Sequence, residues 1–190
     1  MLDDEQISSN IKFWNEIRSI YGFDFVPAAD LHNSFEESVA KELPKFVKIK
    51  NGLFVSEIDI DIRRVVKFQA YKGTCYSLVW GVSLSFVAHE WKNAVRFHRT
   101  LKSSQLDLFE RAGQSEQKCE RRNIFDLGAV YYSRGRQFMI ETMKAMWDRY
   151  RQPMADWFAE VDSVESVLAV ARRQMSGGWV YRSHYPSPAL

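Results

Sequence analysis

Little in this sequence breaks, staples or anchors it. Cys75 and Cys119 are its two cysteines, too few for a disulfide framework and without the close pairing of zinc ligands. Two buried thiols are the expectation. Glycine and proline are scarce, nine and five in all, which excludes a collagen-like or linker-rich chain. No internal repeat or low-complexity tract interrupts residues 1–175, so one domain is expected there, with a poorly ordered tail at 176–190. Long apolar runs are missing too. The longest charge-free stretch, Gly73–His89, has 17 residues and carries Thr74, Ser77, Ser83 and Ser85, whereas a spanning helix wants about 20 mostly apolar residues. The acidic start, Met1-Leu2-Asp3-Asp4-Glu5, lacks the basic segment and apolar run of a signal peptide. A soluble, cytoplasmic protein is expected.

What the chain does have is aromatic bulk: 13 Phe, 8 Tyr and 6 Trp among 190 residues. A chain of this length removes roughly 70% of its unfolded surface from water, so it can hold a core without staples. Net charge is only +2, but its distribution is uneven. Residues 1–44 carry three basic and nine acidic side chains, whereas residues 45–117 carry twelve and seven, and 118–151 carry eight and four. Such asymmetry can create a basic face for an anionic partner. The favoured reading is internal: acidic N-terminal helices packed over a basic middle.

Period analysis divides the chain into helices, strands and helices again. Over 4–21, Ile7, Ile11, Trp14, Ile17 and Tyr21 repeat at helical spacing, and Gly22 ends the stripe. Phe35, Val39 and Leu43 predict a second helix after Asn33 or Ser34, stopped by Pro44. From Phe46 to Val87 the chain is rich in Val, Ile and Phe, with turn signals at Asn51-Gly52 and Lys72-Gly73. Four strands follow, at about 45–50, 53–60, 62–71 and 74–87, and Gly81 marks a bulge or close backbone approach. Trp91, Val95, His98 and Leu101 are spaced for a helix, with another over 104–112. Residues 113–123 read as a loop, 124–132 as extended, and Ser133 as the N-cap of a helix to about Tyr150. Pro153 breaks that helix, and a last one starts after Asp162 or Ser163. The expected fold class is α+β: an antiparallel meander of about four strands, with N-terminal and C-terminal helices packed on one face.

The segments VVKFQAYKG (65–73), SLVWGVSLSFVAHEW (77–91) and RYRQPMADWFAEVDSVESVLAV (149–170) give the chain a resemblance to the bacterial domain of unknown function 4304. It spans most of residues 4–175, with Gln69 and the 78–87 run as its more specific parts. The chain departs from that family at the acidic Gly22-Phe23-Asp24-Phe25, where the family carries a basic stretch. The resemblance implies a bacterial protein of the same α+β fold and supplies no activity to transfer.

Candidate chemistry is sparse. Glu57, Asp59 and Asp61 alternate with isoleucines, so in a strand the three carboxylates share one face and could hold a divalent cation such as Mg²⁺. The plainer reading is the solvated face of a half-buried strand. Lys67, Gln69 and Tyr71 share a strand face as a polar strip for a small ligand or peptide, and His89 with Trp91 stands where a strand feeds a helix. His98 reads as a core or boundary histidine. Arg134, Arg136, Lys144, Arg149 and Arg151 mix with Tyr131, Tyr132 and Trp147, but helical spacing puts Trp147 in the core and the cations on solvated flanks. That argues against nucleic acid as a partner. No P-loop, nucleophile elbow or histidine-bearing metal motif is present.

The function expected from the residues is therefore a non-catalytic binding or protein-interaction module without a cofactor, taking a protein partner or small ligand. Two alternatives remain: a metal-dependent enzyme on nucleotides or nucleic acid, using Glu57, Asp59 and Asp61, and an immunity or antitoxin-like partner protein.

Overall fold

A computed structural model describes residues 4–22, 24–50, 52–56, 61–70, 75–91, 93–112, 128–132 and 134–176. Two helices come first, α1 (Asp4–Tyr21) and α2 (Ala28–Glu42). A meander follows: β1 (Phe46–Lys50), β2 (Leu53–Ser56), β3 (Ile62–Ala70) and β4 (Cys75–Leu84). A small hairpin, β5 (His89–Trp91) with β6 (Ala94–Arg96), and a short 3-10 turn at Leu101–Ser103 lead to β7 (Leu108–Arg111). Strand β8 (Ala129–Tyr131) and helices α3 (Arg136–Glu160) and α4 (Val164–Ser176) complete the chain. All pairings are antiparallel, in the order β1-β2-β3-β4-β7, with β8 also on β4. This is the expected α+β class. The expected tail lies outside the described residues from 177 onward, and no helix among the described residues is long and apolar enough to cross a membrane.

The main core lies between the sheet and the helices. Phe54, Val66, Phe68, Leu78, Trp80 and Val82 project from one sheet face against Leu31, Phe35 and Val39 of α2 and the buried stripe of α3. Phe35 stacks on Phe68 at 4.2 Å between ring centroids. Helix α2 starts at Ala28, earlier than its expected start, because Leu31 belongs to the same four-residue stripe as Phe35 and Val39. Helix α1 packs through Trp14, Ile17 and Tyr21 on Phe138 and Tyr131, whereas Ile11, expected on that stripe, is exposed. The opposite sheet face buries Leu53, Val55 and Val65 under Ile49, Leu101 and Leu106. The acidic start of the chain does pair with basic elements: Glu36 with Lys48, Asp30 with Arg136 and Glu42 with Arg151.

Three expectations require correction. The predicted helices at 91–101 and 104–112 are instead the β5–β6 hairpin, the 3-10 turn and β7. Asn93 takes a left-handed conformation, φ 61°, which asparagine tolerates in a tight turn. Arg99 is drawn into the interior, where it pairs with Asp107, and Asp107 also accepts the Leu84 N–H at 2.8 Å. His98, on this excursion, is exposed. Second, α3 starts after Gly135, φ 86°, and not directly after Ser133, which lies outside the described residues. Third, Pro153 sits inside α3 without ending it. A mid-helix proline costs about 3 kcal/mol. Pro153 is exposed, however, while Met154, Trp157 and Phe158 beyond it are buried, each contributing about 1.5–3 kcal/mol. Burial outweighs the lost ladder bond. Helix α4 starts where expected, with Ser163 and Ser166 exchanging backbone-to-hydroxyl hydrogen bonds at 3.0 and 3.2 Å.

Gly81 is the close approach expected of it. A Cβ there would overlap the Leu108 carbonyl and stand 2.7 Å from the Phe109 Cβ. Gly81→Ala should therefore push β7 off β4 and cost about 3 kcal/mol or more, by overpacking and lost ladder bonds. Urea unfolding will show this as a fall in midpoint; an unchanged midpoint would contradict the approach.

Candidate functional site

The residues singled out from the sequence do not form one site. Glu57 and Asp59 lie outside the described residues, as does Tyr71. Asp61 is exposed, and both its carbonyl and its carboxylate are engaged by Ser85, through N–H at 2.9 Å and Oγ at 3.0 Å. It continues the β3–β4 ladder by one residue. Among the described residues no group of three or more His, Cys, Asp or Glu is placed to hold a metal. His89 and Trp91 are the ends of β5 in the separate two-stranded sheet, and their side chains lie outside the described ones. That hairpin leaves β4 beyond Leu84, at the end of the β3–β4 pair opposite Lys67 and Gln69.

Lys67 and Gln69 do share the sheet face away from α2 and α3, since Val66 and Phe68 take the other. Gln69 faces Ser77 across the ladder, and Ser77 donates to the Gly128 carbonyl at 3.0 Å. Lys67 sits in a row running Lys50, Leu53, Lys67, Val79, Arg111 across five strands. Burial, with the like charges of Lys50 and Arg111, holds its ammonium below the ordinary lysine value. A half-buried cation among cations destabilises the fold unless an anion joins it. Burial also raises the Cys75 thiol and pushes the Tyr131 phenol up to about 12. Neither group is thereby prepared as a nucleophile.

A different place holds the geometry of a binding site. A cleft of about 430 Å³ opens between the β4–β7 edge and the second half of α3. Trp80, Tyr150 and Trp157 line it with Pro153, and Glu110, Arg111 and Arg149 bring charge to it. Its size falls within the roughly 300–1,000 Å³ common for small-molecule pockets. Each lining residue has a structural reason to be there. The register of β7 on β4 sets Glu110 opposite Trp80 and Arg111 opposite Val79. In α3, Tyr150, Pro153 and Trp157 recur at the three- and four-residue spacing of one helix face. The Trp80 and Tyr150 rings stand 6.0 Å apart at 39°, and the Arg149 guanidinium lies 5.9 Å from the Tyr150 ring centre. The Gln174 side chain of α4 donates to Glu110 at 2.9 Å.

Two polar atoms in this cleft's walls are unusual. The indole Nε1 atoms of Trp80 and Trp157 are buried and make no hydrogen bond. Trp147, by contrast, donates to the Ser38 hydroxyl at 2.9 Å. A buried donor left unsatisfied costs about 1–3 kcal/mol, so an acceptor entering the cleft would meet two donors already desolvated. Sequence reading put Trp80 on a strand and the cations of α3 on a solvated flank, and missed that these meet. No protein-family model, curated protein or solved structure matches the chain, so the chemistry of the site rests on this geometry.

The shift at Lys67 has a measurable sign. Its folded value lies below the unfolded one near 10.5, so its protonated form weakens the fold, and stability contributed by this group rises as pH climbs toward 10.5. Lys67→Met, which keeps the stem and removes the charge, should raise Tm at neutral pH and flatten that alkaline rise. A lower Tm would show instead that the ammonium is favourably paired.

Proposed function

We propose that the protein is a non-catalytic binding module and that its ligand enters the cleft between β7 and α3. The observation that carries this reading is the pair of buried indole donors, Trp80 and Trp157, without acceptors in the walls of a pocket-sized opening. Folded chains satisfy nearly all buried polar groups, and exceptions tend to mark function. The cleft's lining supports binding over turnover: Glu110 is its one carboxylate, already bonded to Gln174, and no histidine, cysteine, serine or lysine lines it. A bacterial, cytoplasmic setting belongs to the same reading, supported by the sparse cysteines and the resemblance of the 65–91 segment.

The experiment is a thermal-shift screen of small molecules against the full chain, with a parallel calorimetric titration of Mg²⁺ and Mn²⁺. Ligands of the cleft should raise Tm by mass action, and Trp157→Phe, which keeps a ring but removes the donor, should weaken them. Millimolar metal binding that is lost in Asp61→Asn would instead favour the metal-dependent enzyme acting on nucleotides.

A further inference from the structure

We infer that this cleft takes a flat aromatic molecule bearing an oxyanion, a carboxylate or a phosphate. The inference rests on the binding reading above and narrows the class of ligand. Two requirements come from opposite properties of the lining. Trp80, Tyr150 and Trp157 present aromatic surface, and the 39° between the Trp80 and Tyr150 rings leaves a tapering slot at their 6.0 Å separation. Rings prefer offset or edge-on contact with other rings, so a planar ligand gains from both walls. The polar groups, meanwhile, are mostly donors. The indole N–H groups of Trp80 and Trp157 lack an acceptor, and an indole nitrogen can only donate. Arg111 and Arg149 add guanidinium forks, which also only donate and which match the planar geometry of a carboxylate or the oxygens of a phosphate.

Against two arginines stands one carboxylate, Glu110, whose Oε1 accepts from Gln174. The lining thus carries an excess of positive charge, strengthened on the β7 side by Lys67, close enough to Arg111 for the two to repel. A neutral ring would satisfy the walls and leave the donors unmatched. A cationic ring would meet two like charges. An anion without a ring would forgo the apolar contact. A polymer such as RNA is also a poor fit, because an opening of about 430 Å³ holds a single ring system with its substituent.

The test uses four naphthalene derivatives that share one ring: 1-naphthylacetate, 1-naphthyl phosphate, 1-naphthalenemethanol and 1-naphthylmethylamine. Acetate and inorganic phosphate are the ringless controls. Each is titrated into the full chain while the indole N–H resonances are followed by NMR, with those of Trp80 and Trp157 assigned through Trp80→Phe and Trp157→Phe. Both aryl anions should move the two resonances downfield and bind about tenfold more tightly than the alcohol, as expected for gaining charge-assisted hydrogen bonds. The amine should bind more weakly than the alcohol, and the ringless anions should move neither resonance. Arg149→Gln should erase the preference for anions while leaving binding of the alcohol in place, a combination that unfolding cannot produce. Preference for one aryl anion over the other identifies the oxyanion source. Equal affinity for acid and alcohol, or tighter binding of the amine, would overturn the ligand class while leaving the binding module standing. If no naphthalene derivative moves either resonance, the cleft reading and this inference fall together.

Discussion

The absence of a side chain at Gly81 is the constraint on which the rest of this structure hangs. Strand β4 is covered on one edge by β3, and on the other it is shared, β8 taking Cys75–Ser77 and β7 taking Val79–Val82. The approach of Leu108 and Phe109 leaves no room for a Cβ at the centre of that second contact. Once β7 is seated, Asp107 reaches both the Leu84 N–H and the buried Arg99, whose carbonyl accepts from Arg63 at 3.0 Å. The 85–107 excursion is thereby tied to β3 and β4 at its base. The same seating carries Glu110 and Arg111 to the cleft. Backbone packing and candidate site therefore share one cause.

Charge follows a related economy. The acidic first quarter of the chain is matched by Lys48, Arg136 and Arg151, all from the basic middle, and Glu141 of α3 accepts the Tyr21 hydroxyl at 2.6 Å. That contact raises the tyrosine and lowers the glutamate, as a shared proton requires. Exposed pairs of this kind add little stability individually. Their larger effect is on distribution, since the acids of α2 are placed on the helix side of the sheet, away from the row that holds Lys67. Lys67 and Arg111 then sit near one another with a positive field around them, in line with the donors of the cleft.

Elements built from local signals were legible in the sequence. The period of Trp14, Ile17 and Tyr21 with a terminal glycine gave α1 its bounds, and Asn51-Gly52 set the β1–β2 turn. Gly81 was recognisable as a crowded position, although its neighbour was not. The segment from 89 to 112 misled because Trp91, Val95, His98 and Leu101 happen to fall at helical spacing, while the force that shapes it is long-range. Arg99 is buried by Asp107, Leu101 and Leu106 cover Leu53 and Val65, and β7 has the uniform half-burial of an edge strand with no alternation to read. Pro153 misled for the converse reason: a local cost was exceeded by tertiary burial. The cleft was the least legible feature. Its members come from β4, β7 and α3, and an orphaned indole N–H leaves no trace in composition or period. The abundant aromatics were correctly read as packing, but Trp80, Tyr150 and Trp157 also frame an opening.

The strand order carries a further consequence for the way the chain assembles. The pairings β1-β2-β3-β4 join neighbours in sequence, so each closes a short loop at small entropic cost. Pairing of β7 and β8 with the far edge of β4 requires long returns of the chain, and α3 must then dock across the result. Contacts of that kind form late and are released early. The meander is accordingly expected to be the slow-exchanging centre of the molecule in hydrogen exchange, and the β7 edge its first door to open. A molecule lodged between β7 and α3 would hold that door shut, so occupancy would be felt in the rate of partial opening before it was felt in global unfolding.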